Sequence, residues 1–238
     1  IPILFACSRT SSQKPNFVFV LIDDLGYKAV GYMGANEYRT PNIDQLASEG
    51  MVFTQAYTNA ANCAPTRASL LSGQYTPRHG VFTVAKSDRG NSEDRRLIPI
   101  VNSTKVALEN VLISEALRSG GYNSAAIGKW NIGTSPLKQG FDVEVSMATL
   151  GFKSGHFNEK GEYLADRLSD EAVKFIYENA DNPFFLYLAH HGVHTPIEAP
   201  EEMTVKYANL TIEDCFKSPV YAAMVESMDE SMGRVMAK

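Results

Sequence analysis

The chain has 238 residues, of which 44% are hydrophobic and 21% are charged, a balance typical of a globular protein with room for one large domain or two small ones. A formal net charge of -5 without any Lys/Arg cluster argues against a nucleic-acid partner, which would need a basic surface. The three cysteines, Cys7, Cys63 and Cys215, are too few and too scattered for a disulfide framework. No apolar run in the sequence reaches the length of a membrane span.

The first fifteen residues resemble the remnant of an export signal followed by a polar linker. The run Leu4-Phe5-Ala6-Cys7 is similar to a bacterial lipobox, whose cysteine is lipidated. We therefore expect residues 1–15 to lie outside the folded domain, with a possible lipid anchor at Cys7. The protein is expected to be exported: periplasmic, an outer-surface lipoprotein or secreted. The alternative is a short apolar N-terminus with a chance cysteine.

Three strands and four helices are predicted along the chain. Residues 17–22 form an apolar, β-branched run, which predicts a strand buried on both faces of a parallel sheet. Thr40 and Pro41 predict a helix with Thr40 as its N-cap, and Gly50 predicts its end. Residues 111–118 predict a second helix, and residues 124–127 predict a second strand.

The second half of the chain continues the same alternation. Ser169 is predicted to cap a helix with an apolar face, and residues 184–189 predict a third buried strand. A last helix carries apolar residues at three- and four-residue spacing, and its methionines are interpreted as core packing: Tyr221, Val225, Met228, Met232 and Val235. Strands alternating with helices predict an α/β fold, with a mostly parallel or mixed central sheet flanked by helices.

Each predicted strand ends in polar or titratable residues. Asp23 and Asp24 follow the first strand, Lys129 follows the second, and a histidine group that includes His194 follows the third. Ligands in open α/β sheets bind outside the carboxyl ends of the strands. These side chains are therefore expected to converge on one site.

Adjacent carboxylates at the end of a buried strand are costly to desolvate unless a cation binds them. Hard oxygen ligands favour Ca²⁺, with Mg²⁺ possible, over zinc. The Asp23-Asp24 pair is therefore a candidate metal site. The alternative is that one carboxylate caps a turn while the other faces water.

The run Cys63-Ala-Pro-Thr-Arg67 allows three interpretations from its residues alone. Cys63 could be a small buried hydrophobic residue, as free cysteines often are. It could be a thiolate nucleophile at a helix N-terminus, assisted by Arg67. It could also be the precursor of a different working group.

The third interpretation agrees with a family resemblance. Residues 63–73, CAPTRASLLSG, closely resemble the sulfatase signature, Cys-x-Pro-x-Arg followed by a hydrophobic-Ser/Thr-Gly end. Other segments resemble the family in the family's order: NFVFVLIDDLGY, TPNIDQLASEGMVFTQAY, TPRHGV, AAIGKW, QGFD, PFFLYLAHHGVHTPIEAPEE and YAAMVESMDESMGRVM. The chain is identified on this pattern as a member of the type I sulfatases of the alkaline phosphatase-like superfamily.

The resemblance implies a chemistry centred on Cys63. In the family this cysteine is oxidised to formylglycine by a formylglycine-generating or anaerobic sulfatase-maturating enzyme, which acts on unfolded chains. The aldehyde hydrates to a gem-diol, one hydroxyl attacks sulfur, and the second then expels sulfate. Arg67 would hold the oxyanion and the diol.

The remaining site residues are also carried over from the resemblance. Asp23 and Asp24, together with modified Cys63, match metal ligands of the family. Lys129 matches the lysine that binds the sulfate oxygens. His194 matches the histidine near the leaving-group oxygen and would be its general acid. His79 is expected to be structural, whereas His190 and His191 have no clear role.

Two departures from the family pattern stand out. The family has Gly-Lys-Trp-His where this chain has Asn131 at the last position. Asparagine can hold a hydroxyl group but cannot take its proton, so slower turnover, a replacement base or shifted roles are expected. The family's later Asp-Asn ligands and second substrate lysine do not occur before Lys238. Residues 16–238 are therefore expected to be the N-terminal portion of a catalytic domain truncated at its C-terminus.

The resulting hypothesis is a sulfuric ester hydrolase acting on a sulfated carbohydrate or aryl sulfate. Its substrates would be sulfated small molecules or polysaccharides. One alternative is a phosphonate or phosphate ester hydrolase of the same superfamily. The others are an inactive, truncated binding module and, less favoured by the resemblance, a thiolate enzyme that uses unmodified Cys63.

Overall fold

A computed structural model describes residues 14–209 and 218–238. Its strands and helices alternate along the chain, with short 3-10 turns between them. The strands are β1 (Phe17–Ile22), β2 (Asn123–Gly128), β3 (Val143–Val145) and β4 (Phe184–His190). The helices are α1 (Pro41–Glu49), α2 (Cys63–Ser72), α3 (Thr76–His79), α4 (Ile113–Ser119), α5 (Leu164–Glu178), α6 (Glu201–Thr204) and α7 (Pro219–Met236).

The four strands form one sheet in the order β1-β4-β2-β3, and every pair in it is parallel. Its central strand β4 is buried along its whole length and alternates between two cores. Phe185 and Tyr187 pack with α2 on one face, whereas Leu186 and Leu188 pack with α5 on the other. This two-residue period is the pattern of a strand covered by helices on both faces, so the predicted α/β fold is confirmed.

Strand β1 differs from its prediction. It lies at the edge of the described sheet and pairs only with β4 there. Phe17, Val18 and Phe19 keep 43%, 42% and 37% of their surface exposed. The apolar run correctly indicated a strand, but hydrophobicity alone did not reveal that it would be an edge strand.

The N-terminus of α1 is capped differently from the prediction. The Thr40 hydroxyl accepts from the Gly31 amide at 2.8 Å and donates to Asp44 at 3.1 Å, so it does not cap its own helix. The carboxylate of Asp229, on α7, instead accepts from the Asn42 amide at 3.2 Å and the Ile43 amide at 2.8 Å. A carboxylate at this end also complements the helix dipole. Sequence reasoning missed this cap because it lies far away along the chain.

Two other helix boundaries also need correction. The second predicted helix begins at Ile113 rather than residue 111. Ser169 lies inside α5, not at its start. Its hydroxyl donates to the Ala165 carbonyl and lies within hydrogen-bond distance of the Ser231 hydroxyl on α7, both at 2.7 Å. It therefore joins two helices instead of capping one.

The C-terminal helix packs as its pattern predicts. Val225, Met228 and Val235 are buried in the core, whereas Met232 is only partly buried. Within the described residues, no helix combines the length and hydropathy that a membrane span requires. The lipobox-like segment, with Cys7, lies outside the described residues, as does Cys215.

Candidate active site

The carboxyl ends of β1 and β2 and the first turn of α2 meet at one buried ion cluster. Asp23, directly after β1, is 5% exposed, and its carboxylate accepts from Arg67 at 2.9 Å. Lys129, directly after β2, donates to the other oxygen of Asp23. The predicted convergence of these side chains is therefore present, and two cations share one carboxylate.

The backbone after β2 brings Lys129 close to β4. Gly128 has φ +103°, and a Cβ atom there would lie 2.0 Å from the Ala189 carbonyl oxygen. The Lys129 amide donates to that carbonyl at 2.7 Å. Glycine is therefore required at residue 128, because only it permits this conformation and approach.

Arg67 is completely buried and holds the cluster together. Besides Asp23, its guanidinium donates to the Lys129 carbonyl at 2.7 Å and to the Tyr187 hydroxyl at 3.1 Å. Burial opposes the charge of Asp23, but the hydrogen bond from Lys129 and the charge of Arg67 outweigh it and lower the pKa of Asp23. The carboxylate is thus ionised at neutral pH.

Tyr187 was missed by sequence reasoning. Burial is the main cause that raises its pKa, so its hydroxyl stays protonated while it accepts from Arg67. It lies within an apolar strand with no sequence signal to distinguish it from its neighbours.

Asp23, Asp24 and His194 form a candidate cation site. One donor atom from each lies within 4.8 Å of the others. The Nδ1 atom of His194 faces the Thr195 carbonyl at 2.7 Å. Since a carbonyl can only accept, Nδ1 carries the hydrogen and Nε2, 3.8 Å from Asp24, is available as a donor atom to a cation. Two carboxylates and one imidazole fit a divalent cation.

Cys63 lies at the first position of α2, beside Asn131. It is partly exposed and, within the part of the chain that the structure describes, forms no disulfide. The Asn131 amide nitrogen is 3.6 Å from its sulfur. Cys63 lines the same cavity, of about 190 Å³, as Asp23, Asp24 and Arg67. It does not belong to the Asp23-Asp24-His194 group, so its place among the metal ligands stays a prediction.

Two residues at the site have a left-handed backbone. Asp24 has φ 61° and Asn131 has φ 56°. Aspartate, asparagine and histidine are the residues other than glycine that most often adopt this conformation. The chain thus tolerates strain at two positions that face the site, and residue 131 would also accept histidine.

The other histidines separate into structural and cavity-lining groups. His79 is buried, with Nε2 3.0 Å from the Ser69 hydroxyl, which agrees with the structural role expected for it. His190 is also buried and lies 2.7 Å from the Ser231 hydroxyl. Burial lowers the pKa of His190 to about 4. His191 lines cavities beside Lys129, and burial together with Lys129 and Arg67 lowers its pKa to about 3.

Comparison with known protein families places this geometry in context. The family model described as Sulfatase matches residues 15–238. A sulfatase from Formosa agariphila is 29% identical over 98% of this chain and 55% of its own length. The human N-acetylgalactosamine-6-sulfatase is 28% identical over 94% of this chain and 46% of its own length. The chain thus spans about half the length of these relatives.

Solved structures give the same picture of the fold. The crystal structure of Ps i-CgsB matches with a TM-score of 0.75 and 31% identity, covering 94% of this chain and 55% of that one. A phosphonate monoester hydrolase of Agrobacterium radiobacter matches with a TM-score of 0.65 at 18% identity, covering 94% of this chain and 59% of that one. The second likeness shows a shared fold alone.

Proposed function

The chain belongs to the sulfatase family, and from that premise we propose that it hydrolyses sulfate esters of carbohydrates through a formylglycine made from Cys63. The observation that carries the proposal is that Cys63 and Arg67 line one cavity with Asp23, whose carboxylate also accepts from Lys129. Arg67 and Lys129 supply the positive charge that a sulfate group needs. The relatives of this chain include a protein named N-acetylgalactosamine-6-sulfatase.

Some of the chain's own residues would bind the sulfate group, and others would hold or transfer a proton. Lys129 would bind sulfate oxygens, and Arg67 would hold developing negative charge next to residue 63. Asn131 lies close enough to Cys63 to hold a hydroxyl group at that side chain. His194, with Nε2 free to carry a proton, would protonate the leaving-group oxygen.

A divalent cation, which we propose to be Ca²⁺, would be held by the Asp23 and Asp24 carboxylates of the Asp23-Asp24-His194 group, which leaves Nε2 of His194 for the proton. When bound, it would supply Lewis acidity and lower the pKa of a hydroxyl group next to it. Asp23 would then exchange part of its contact with Arg67 and Lys129 for the cation. The export and lipid anchor at Cys7 remain part of the same proposal, since sulfated polysaccharides lie outside the cell.

The first test is mass spectrometry of the tryptic peptide Thr40 to Arg67, from a host that converts a control sulfatase. The expected result is a mass that corresponds to CHO in place of CH₂SH at residue 63, and reaction with a hydrazide. A Cys63→Ala variant is the control for the hydrazide reaction. An unmodified thiol would contradict the formylglycine proposal and favour a thiolate enzyme or a binding module.

The second test measures sulfate release from N-acetylgalactosamine 6-sulfate, carrageenan oligosaccharides and an aryl sulfate. Matched phosphate monoesters are assayed beside them. Sulfate release that falls on chelation and returns with Ca²⁺ is the expected result. Faster cleavage of the phosphate esters would instead favour a phosphate or phosphonate ester hydrolase.

A further inference from the structure

A second cavity, of about 200 Å³, lies beside the candidate active site. Lys129 and His194 form its wall nearest the site, and Lys153, His156 and His191 form much of the rest. Cys63, Asp23 and Arg67 instead line the cavity at the start of α2. Lys129, which is paired with Asp23, and His194, 3.8 Å from Asp24, therefore connect the candidate active site to this second space. We call it the histidine cavity.

The histidine cavity is rich in hydrogen-bond donors and positive charge. Among the described residues that line it, there are two lysines, three histidines and two hydroxyl residues, but no aspartate or glutamate. Each lysine is paired with a carboxylate outside the lining, Lys129 with Asp23 and Lys153 with Glu159 at 2.5 Å, and Glu198 accepts from the His156 amide at 2.7 Å. A cavity of this composition suits an anionic or polyhydroxylated ligand.

The wall of the histidine cavity is built into the fold. His156 is 3% exposed, and its Nε2 donates to the His194 carbonyl at 3.0 Å. Gly155 has φ +74°, and a Cβ atom there would lie 2.7 Å from the Glu198 carboxylate. The loop that carries Lys153 is thus fixed against the segment that carries His194. The histidine cavity and the candidate active site therefore share the wall that Lys129 and His194 form.

The charged groups around His191 bear on the electrostatic potential inside the histidine cavity. Besides burial, the charges of Lys129 and Arg67 and the neighbouring His156 lower the pKa of its imidazole. The ring is consequently neutral at pH 7 and can donate or accept a hydrogen bond. The charges of Lys129 and Arg67, opposed in part by Asp23, would attract an anion into the cavity.

From this geometry we propose that the histidine cavity binds a second anionic substituent, a sulfate or carboxylate, on the sugar released by the reaction. The inference rests on the proposed function, because His194 would contact the leaving-group oxygen and the released sugar must then lie beyond it. Lys153, His156 and His191 contact the second substituent. The preferred substrate class is accordingly a saccharide with two or more negative charges near the scissile ester.

Binding to the Cys63→Ala protein, which cannot turn over, tests the cavity by calorimetry. The probes are two matched pairs: D-glucosamine 6-sulfate with D-glucosamine-2-N,6-O-disulfate, and N-acetylgalactosamine 6-sulfate with its 4,6-disulfate. In at least one pair the disulfated sugar should bind more tightly. Lys153→Gln should raise Kd for that sugar about two- to fivefold, the effect of losing one exposed charge contact, and change Kd for its monosulfated partner less than twofold.

Lys160→Gln is the matched control, because Lys160 is exposed on the same loop but does not line the cavity. It should leave both Kd values unchanged. The proposal is overturned if neither pair shows a preference for the disulfated sugar, if no disulfated sugar binds, or if the two lysine variants behave alike.

Sulfate release by the protein with converted Cys63 separates the two proposals. Selective binding without hydrolysis of any probe would retain the cavity proposal and refute the proposed function. Hydrolysis without selective binding would retain the proposed function and refute the cavity proposal.

Discussion

Arg67 is a charged side chain with no exposed surface, and every group it contacts belongs to a different part of the chain. Its partners are the Asp23 carboxylate, the Lys129 carbonyl and the Tyr187 hydroxyl. Breaking a buried ion pair leaves the partner charge buried without a counter-charge, whereas breaking an exposed ion pair costs little free energy of folding. The arginine therefore links three separate segments at the carboxyl end of the sheet, and in the proposed function it would also bind the anion.

Arg67→Met should destabilise the protein by about 3–5 kcal/mol, because Asp23 would keep only Lys129 as a cationic partner. Urea denaturation measures the change. The control is Arg118→Gln, whose pair with Asp142 spans 3.6 Å at a side chain that is 59% exposed. That variant should change stability by less than about 1 kcal/mol. Equal losses in the two variants would contradict the importance of the buried cluster.

Asn131→His should increase the rate of sulfate release. Histidine accepts the left-handed conformation at this position and supplies a base that asparagine lacks. Proton transfer by a positioned side chain is worth about 100-fold or more, and we expect roughly tenfold or better in kcat. Steady-state kinetics of sulfate release measure this change in kcat, with Asn131→Ala as the control. A variant no faster than the parent would show that Asn131 does not limit the rate.

At the level of the elements, the capping of α1 by α7 is the contact that sequence reasoning could not find. Thr40-Pro41 is a strong local signal, and it correctly located the helix start. The capping group was wrong because Asp229 lies 187 residues away from Asn42. Similarly, Ser169 looked like a cap, but burial beside Ser231 gave its hydroxyl a tertiary partner. Local patterns thus predicted the elements, while partners distant in sequence set their details.

Asp229→Asn should destabilise α1 by about 1–2 kcal/mol, the usual range for loss of a charged cap. Hydrogen exchange over residues 41–49 should become faster by a corresponding factor. Glu230→Gln is the control on the same helix, since Glu230 is exposed and lies 3.9 Å from Lys206. Unchanged exchange in Asp229→Asn would indicate that α1 does not depend on this carboxylate.

At the level of the whole molecule, the fold and most of the site could be anticipated. Apolar strands that end in Asp23, Lys129 and the histidine group predicted both the α/β sheet and the meeting of the first two. The sequence could not predict which side chains distant in the chain contact one another when their residue types carry no particular signal. The contact of Tyr187 with Arg67 and that of His156 with the His194 carbonyl depend on how the loops pack, which no periodic pattern encodes.

His190 should make the stability of the whole protein depend on pH. Its pKa is about 4 in the folded state because of burial, against 6.5 as its ordinary value. Between those values the unfolded chain binds the proton and the folded protein does not, so stability falls as the pH falls from about 6.5 to 4. The full effect is about 3 kcal/mol.

Urea denaturation between pH 4.5 and 7.5 measures this dependence. His190→Gln should make it less steep by removing one of the titrating groups, while His191, whose pKa is about 3, keeps part of the dependence. Ser231→Ala is the control, because it removes the hydrogen bond to His190 but keeps the imidazole. An equally steep pH dependence in His190→Gln would assign the effect to other groups.

The order of strands in the sheet has a consequence for the timing of synthesis. Strand β1 pairs with β4 in the described sheet, and Arg67 contacts Tyr187, 120 residues later in the chain. A ribosome that adds about 5–20 residues per second needs roughly 6–25 seconds to cover that distance. Until β4 emerges, the segment around Cys63 lacks the strand against which it packs. Cotranslational delay would thus keep this cysteine accessible to a maturation enzyme that requires unfolded chains.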